Sequence, residues 1–427
     1  LTFLVIANMI GAGVFTTSGF TMASLGSPGR VIAAWVVGGG IAMAGAIGFG
    51  QLVRAMPESG GEYLFLARAA HPFFGFVAGW VSLIAGFTGA IAFAASTFES
   101  YVVPVTVRPS WLPEDAVAIA VVVVGALLHG RGPRAGAMTQ NIAVISKLLL
   151  LVGIVVHAVV AERDHPWNGL AVDAGLWSEA PQGLGPTIVA FAGALVWISL
   201  SYSGFNAGVY IADEAREPER TIPRALLIGA GVTTLLYITL NAIFVCAPAP
   251  AEIAGRPDVA AIAAEWIGGP AFGRFVRAVI ALALATSVSS LLMAGPRVYA
   301  KMASDGFLPS LLRFREDRPE AAVLFQMLLA IGFILVSKVQ DLLSYLGLTL
   351  SLCAAMTVGC LFLPSLRRRS WIHPTHWCPL LYVAATIAAA VVRGIREPAE
   401  ILTALGTFAI GATMYGASKW SARASTP

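Results

Sequence analysis

Two short glycine-rich runs interrupt apolar sequence: Ile10-Gly11-Ala12-Gly13-Val14-Phe15 and Ser203-Gly204-Phe205-Asn206-Ala207-Gly208. Glycine is a poor helix former, so each run predicts a point where a helix opens and its backbone N–H and C=O groups lose their helical partners. Donors freed at the start of the following half-helix, reinforced by its dipole, suit a carboxylate. Gly11 and Gly13 are expected to use the left-handed conformations open to glycine, and Asn206 adds a side-chain donor and acceptor at the second opening. A plainer account of Gly11 and Gly13 is close helix packing, which small residues permit in membranes. The recurrence of such an opening at an equivalent place weighs towards binding.

A third candidate is Lys147, which lies inside the apolar run Asn141 to Leu150 and is followed by further hydrophobic residues. An ionisable group at membrane depth is costly and by default functional; snorkelling to an interface is the structural alternative. Weaker candidates are Glu99 near the end of its apolar segment, and Thr286, Ser287, Ser289 and Ser290, which on a helix bond readily to the preceding turn. The charged run from Asp213 to Arg224 is expected to form an ion-pair network at a membrane face. His71, His129, His157, His165, His373 and His376 show no metal-ligand spacing. Cys246, Cys353, Cys360 and Cys378 lack any CxxC pair and read as small buried hydrophobes. No metal or cofactor is expected.

The elements that carry these residues are apolar throughout. The 427 residues are 57% hydrophobic and 12% charged, against about 25% charged in soluble domains. Twelve apolar segments follow, close to 2–25, 30–54, 73–103, 116–129, 141–160, 185–211, 222–247, 271–303, 320–338, 340–364, 378–393 and 399–418, most of them long enough to cross a hydrocarbon layer. Irregular backbone survives at that depth only where it lines a cavity or is buried in protein, so the two openings point to a transporter's substrate site. They fall in the first and sixth segments. That spacing predicts an all-α integral membrane protein built from two five-helix repeats, residues 1–160 and 185–364, followed by two further helices over 378–418. Because five is odd, the repeats insert with opposite topology.

Seventeen Lys and Arg residues fall on one side of this arrangement and nine on the other, which predicts both termini on the cytoplasmic side of the inner membrane. The basic residues lie in short loops between spans, which argues against a nucleic-acid partner. The chain opens at Leu1 inside an apolar run without a basic flank, so an N-terminal tail is expected to precede it; no cleavable signal peptide is visible. No HExxH or GxSxG motif or paired acids at membrane depth suggest an enzyme, and no pore-lining ring suggests a channel. No feature calls for an obligatory protein partner.

The strings Pro57-Glu58-Ser59-Gly60-Gly61-Glu62-Tyr63, Ala212 to Ala225 with its Pro218-Glu219-Arg220, and Arg297-Val298-Tyr299 leading to Asp305-Gly306-Phe307-Leu308-Pro309 resemble the amino acid-polyamine-organocation superfamily of transporters. Tyr202-Ser203-Gly204-Phe205-Asn206-Ala207 is most similar to its L-type amino acid transporters and their bacterial relatives. The resemblance implies a LeuT-like fold, with the substrate's carboxylate at the first break and its amino group at carbonyls of both. Met9, Ile10, Gly11, Ala12 and Gly13 would line one side, and Leu200, Tyr202, Ser203, Gly204, Phe205 and Asn206 the other. Leu200 stands where relatives often place an aromatic gate, and Phe205 where the L-type pattern often has Trp. Lys147 would project towards the first and eighth helices, where sodium-coupled cousins hold a cation, making transport sodium-independent with exchange and proton coupling both open. The carried-over pocket holds no acidic side chain, so a neutral L-amino acid is the expected substrate; the alternative is a cationic amino acid or polyamine, with Glu99 or another acid as counter-charge.

Overall fold

The computed structural model describes residues 1–104, 107–130, 136–161, 181–304, 308–313, 320–364, 366 and 377–424. Among them every regular element is a helix. The first span is split into α1 (Thr2–Met9) and α2 (Gly13–Leu25), bent by 46° across Ile10 to Ala12. Gly26 closes α2 with left-handed backbone at φ 68°, the usual role of glycine after a helix. Then come α3 (Pro28–Ala55), a short connecting helix α4 (Gly61–Ala69), and a third span in three pieces: α5 (Pro72–Val81), a π-helical stretch Ser82–Gly89, and α6 (Ala90–Val102). Helices α7 (Ala116–Gly130) and α8 (Gly136–Ala161) follow.

The sixth apolar segment forms α9 (Leu184–Tyr202), which stops at Ser203 and resumes after Asn206 as a 3-10 helix over Ala207–Glu214. Beyond it lie α10 (Pro218–Cys246), α11 (Pro250–Ile253) and α12 (Val259–Ser304), the last interrupted at Gly268 and Gly269 just before Pro270. The remainder are α13 (Glu320–Val336), α14 (Val339–Gly359), α15 (Trp377–Arg396) and α16 (Pro398–Ala424). Proline opens α3, α5 and α10, where its missing N–H and fixed φ cost nothing.

Seven helices among the described residues are long and apolar enough to span a membrane, and eight if the bent α1–α2 pair counts as one; Ala116–His129 of α7, Leu148–Val160 of α8 and Glu320–Val336 are shorter apolar stretches. Helix α3 packs on α9, α10 and α15. Its small residues let α10 and α14 approach: a Cβ on Gly39 would meet Thr234 of α10 at 2.3 Å, and one on Gly48 would meet Val358 of α14 at 2.8 Å. α8, which carries Lys147, packs against α12 and α10. The side chain of Lys147 lies outside the described residues.

Candidate substrate site

The two openings expected in the sequence meet in space. Gly204 has φ +92°, and a Cβ there would lie 2.8 Å from the carbonyl oxygen of Asn8, so the sixth-segment break is laid directly on the end of α1. Only glycine combines that left-handed backbone with that approach. The exposed carbonyl end of α1 is held from the other side by Tyr237, whose hydroxyl donates to Met9 O at 2.6 Å. Tyr237 belongs to a buried aromatic trio with Trp35 and Tyr202, ring centroids 5.3 to 5.7 Å apart. Tyr202 itself donates to Trp35 O at 3.1 Å, and Trp35 Nε1 to Ser18 Oγ at 3.0 Å.

Two cavities flank this junction. The smaller, about 260 Å³, is lined by Met9, Ile10, Gly11, Ala12 and Gly13 on one side and by Leu200, Ser201 and Ser203 on the other. The larger, about 460 Å³, is lined by Leu200, Tyr202, Ser203, Gly204, Phe205 and Asn206 together with Glu62, Tyr210 and Cys353. Asn8, Gly86, Leu200, Ser203 and Leu350 line both, so they form the partition between them. A wider depression of about 1280 Å³ around His157, Trp266 and Arg277 lies away from both breaks.

A sequence model described as amino acid permease matches residues 1–417. The chain belongs to the amino acid permease family. Among curated proteins it is 25% identical over 362 residues to the "Large neutral amino acids transporter small subunit 2" of Homo sapiens, covering 83% of this chain and 67% of that protein. It is 25% identical over 411 residues to "Asc-type amino acid transporter 1" of Mus musculus, covering 92% and 75%, and 23% identical over 405 residues to the "b(0,+)-type amino acid transporter 1" of Mus musculus, covering 93% and 82%. The chain is thus an amino acid transporter of the amino acid-polyamine-organocation superfamily and a multi-pass membrane protein.

Several expectations need correction in this permease. Neither Gly11 nor Gly13 adopts positive φ; the turn of the first break is made at Ile10, with φ −76° and ψ 88°. Gly13 is required by contact instead, since a Cβ there would lie 2.5 Å from Ser201 Oγ, whereas one on Gly11 meets nothing within 4 Å. The packing account therefore holds for Gly13, and Gly11 faces open space. Asn206 does not turn freely into the cavity: its Nδ2 donates to Glu62. Phe205 is buried, packs edge-on against Phe49 and Tyr382, and lines the larger cavity as expected. Leu200 is the residue of the pair that reaches both cavities.

The absence of an acid from the site is likewise corrected. Glu62, in the first turn of α4, is buried and lines the larger cavity. It belongs to the Pro57–Tyr63 string, but nothing in that string says that α4 folds back under the sixth-segment break. Burial pushes its carboxyl above the usual range, opposed by hydrogen bonds from Tyr210, its own backbone N–H and Asn206. Glu99 is no counter-charge for a ligand: it pairs with Arg108 and accepts from the backbone N–H groups of Asp115 at 3.0 Å and Ala118 at 2.8 Å.

Thr286, Ser287 and Ser290 line the smaller cavity, yet they bond to Ala283 O, Ala283 O and Thr286 O, the preceding turns of α12. Ser289 meets His129 at 2.7 Å. Of the network expected over Asp213 to Arg224, the described residues show one exposed pair, Arg220 to Glu217 at 3.4 Å, and the side chains of Asp213 and Glu214 lie outside them. Among the described residues no cluster of His, Cys, Asp or Glu has the arrangement of a metal site. Asn8, Ser201 and Gly86 were not singled out in the sequence. The π-helical stretch around Gly86 gives no compositional signal, although such stretches concentrate at functional sites.

Proposed function

We propose that the chain moves neutral L-amino acids across the cytoplasmic membrane by alternating access, with twelve spans arranged as two inverted five-helix repeats plus two C-terminal helices and with both termini in the cytoplasm. The observation that carries this reading is the Gly204–Asn8 junction, which lays one broken span on the other between two cavities. The substrate's carboxylate would sit at the backbone of Gly11 to Gly13, at the start of α2, where unpaired N–H groups and the helix dipole favour an anion. Its ammonium would meet carbonyls of the two breaks. Apolar lining by Ile10, Leu200, Leu346 and Leu350 suits an uncharged side chain. The names of the L-type and Asc-type relatives support the class.

A cationic amino acid or polyamine is the second reading, favoured by the carboxyl of Glu62 in the larger cavity. Both of its oxygens are already engaged, one by Asn206 and one by Tyr210, so it is poorly placed to pair with a ligand as well. Uptake of labelled leucine, alanine, serine, arginine and putrescine into proteoliposomes holding the purified chain tests both. Accumulation of the neutral amino acids is expected; uptake confined to arginine or putrescine would replace the first reading by the second.

A further inference from the structure

We propose that Glu62 is a proton-binding site that couples protonation to the docking of α4 on the broken sixth span: docked, the carboxyl carries a proton, and undocking releases that proton to water on the α4 side. One O–H bond breaks on release and one forms on docking. The inference rests on the alternating-access reading, since it names the surface whose parting would open the larger cavity.

The geometry of the docked contact is tight. Gly61 has φ +57°, and a Cβ on it would fall 2.2 Å from the Tyr210 ring, so the start of α4 lies flat against that side chain. Glu62 follows directly, 8% exposed, with Asn206 donating to Oε1 and the Tyr210 hydroxyl directed at Oε2. The Tyr210 ring is half exposed while its hydroxyl reaches inward. These partners come from the break itself and from the 3-10 helix after it, so the contact ties the 56–71 connection to the element that alternating access must move.

A buried carboxylate is tolerated when a cation accompanies it. Here none does. The other titratable groups facing Glu62 are Cys353 of α14 and Tyr382 of α15, both uncharged in their ordinary forms. On the remaining elements packed against α4, His71 precedes α5 and Cys360 opens the turn after α14. Arg68, on α4 itself, turns outward to Glu58 with both side chains exposed. Among the described residues Glu62 forms no ion pair. A neutral carboxyl satisfies the same partners: Oε1 accepts from Asn206, and an O–H on Oε2 donates to the Tyr210 oxygen, which can act as donor or acceptor.

The sign of the coupling follows from linkage. The docked state binds the proton more tightly than a hydrated carboxyl does, because burial penalises the charge. Acid therefore favours docking, and raising the pH through the carboxyl's titration favours parting.

Cys353 lines the same cavity and serves as the reporter. In proteoliposomes of the full chain, alkylation of Cys353 by N-ethylmaleimide is followed by mass spectrometry at about pH 5 and about pH 9, which span the range over which a carboxyl raised by burial titrates. Each rate is divided by that of the same thiol in denatured chain at the same pH. The normalised rate is expected to rise several-fold with pH in the native protein and to be the same at both values in Glu62→Gln. Equal rates in the native protein, or an undiminished pH response in Glu62→Gln, overturn the proposal. The readout needs no substrate, so a chain that transports nothing yet shows these changes keeps the proton site and loses the transport reading.

Discussion

Gly13 of α2 lies so close to Ser201 of α9 that a Cβ built on it would fall 2.5 Å from Ser201 Oγ and 2.9 Å from its Cα. The two glycines of the first break therefore have separate tasks, one at a helix contact and one at a cavity wall. Gly13→Ala should lower stability by about 1–3 kcal/mol, the usual cost of overfilling a packed contact, and should lower the melting temperature in detergent. Gly11→Ala should melt near the parent chain but bind substrate more weakly, since the added methyl enters the smaller cavity. Equal melting temperatures for both variants would show that the contact gives way without cost.

Gly204 is constrained twice, by φ +92° and by the Asn8 carbonyl 2.8 Å from any Cβ. Gly204→Ala should cost about 1–3 kcal/mol from backbone strain alone and should abolish uptake by pushing the breaks apart. Transport at the parent rate would mean that the junction is not needed for the cycle.

Glu99 and Arg108 form a largely buried pair, their side chains 6% and 19% exposed. Glu99→Ala should destabilise by about 3–5 kcal/mol, because it leaves an uncompensated charge and two orphaned N–H groups. Substrate preference among the folded molecules should stay as it is. A shift from neutral to cationic substrates, or the reverse, in competition uptake would place Glu99 back among the ligand's partners.

Lys147 rides on α8, which packs against α12. If its ammonium replaces a coupling cation, uptake should proceed equally in sodium and in choline buffer, and Lys147→Ala should lose most of it. A requirement for external sodium would reject that role. Uptake unaffected by an imposed proton gradient would leave the structural role and remove proton coupling from this residue.

The apolar segments and the positions of both breaks were legible in the sequence because they rest on local physics: a helix in lipid needs a run of apolar residues, and clustered glycine weakens the helix within that run. The family strings lay in the sequence too, in contiguous residues. What local reasoning missed is long-range. Gly13 looked like a conformational glycine, and only its contact with Ser201, far along the chain, shows that it is a packing one. Asn206 looked like a ligand donor, and only the folding-back of α4 gives it Glu62. The acid was visible at position 62, but whether a carboxyl in a connecting helix faces water or a cavity depends on where that helix docks, a choice made by Gly61 fitting under Tyr210. Periodicity and propensity act over one or two turns and specify elements; the partners of buried polar groups are set by which elements touch, and that the tertiary structure alone decides.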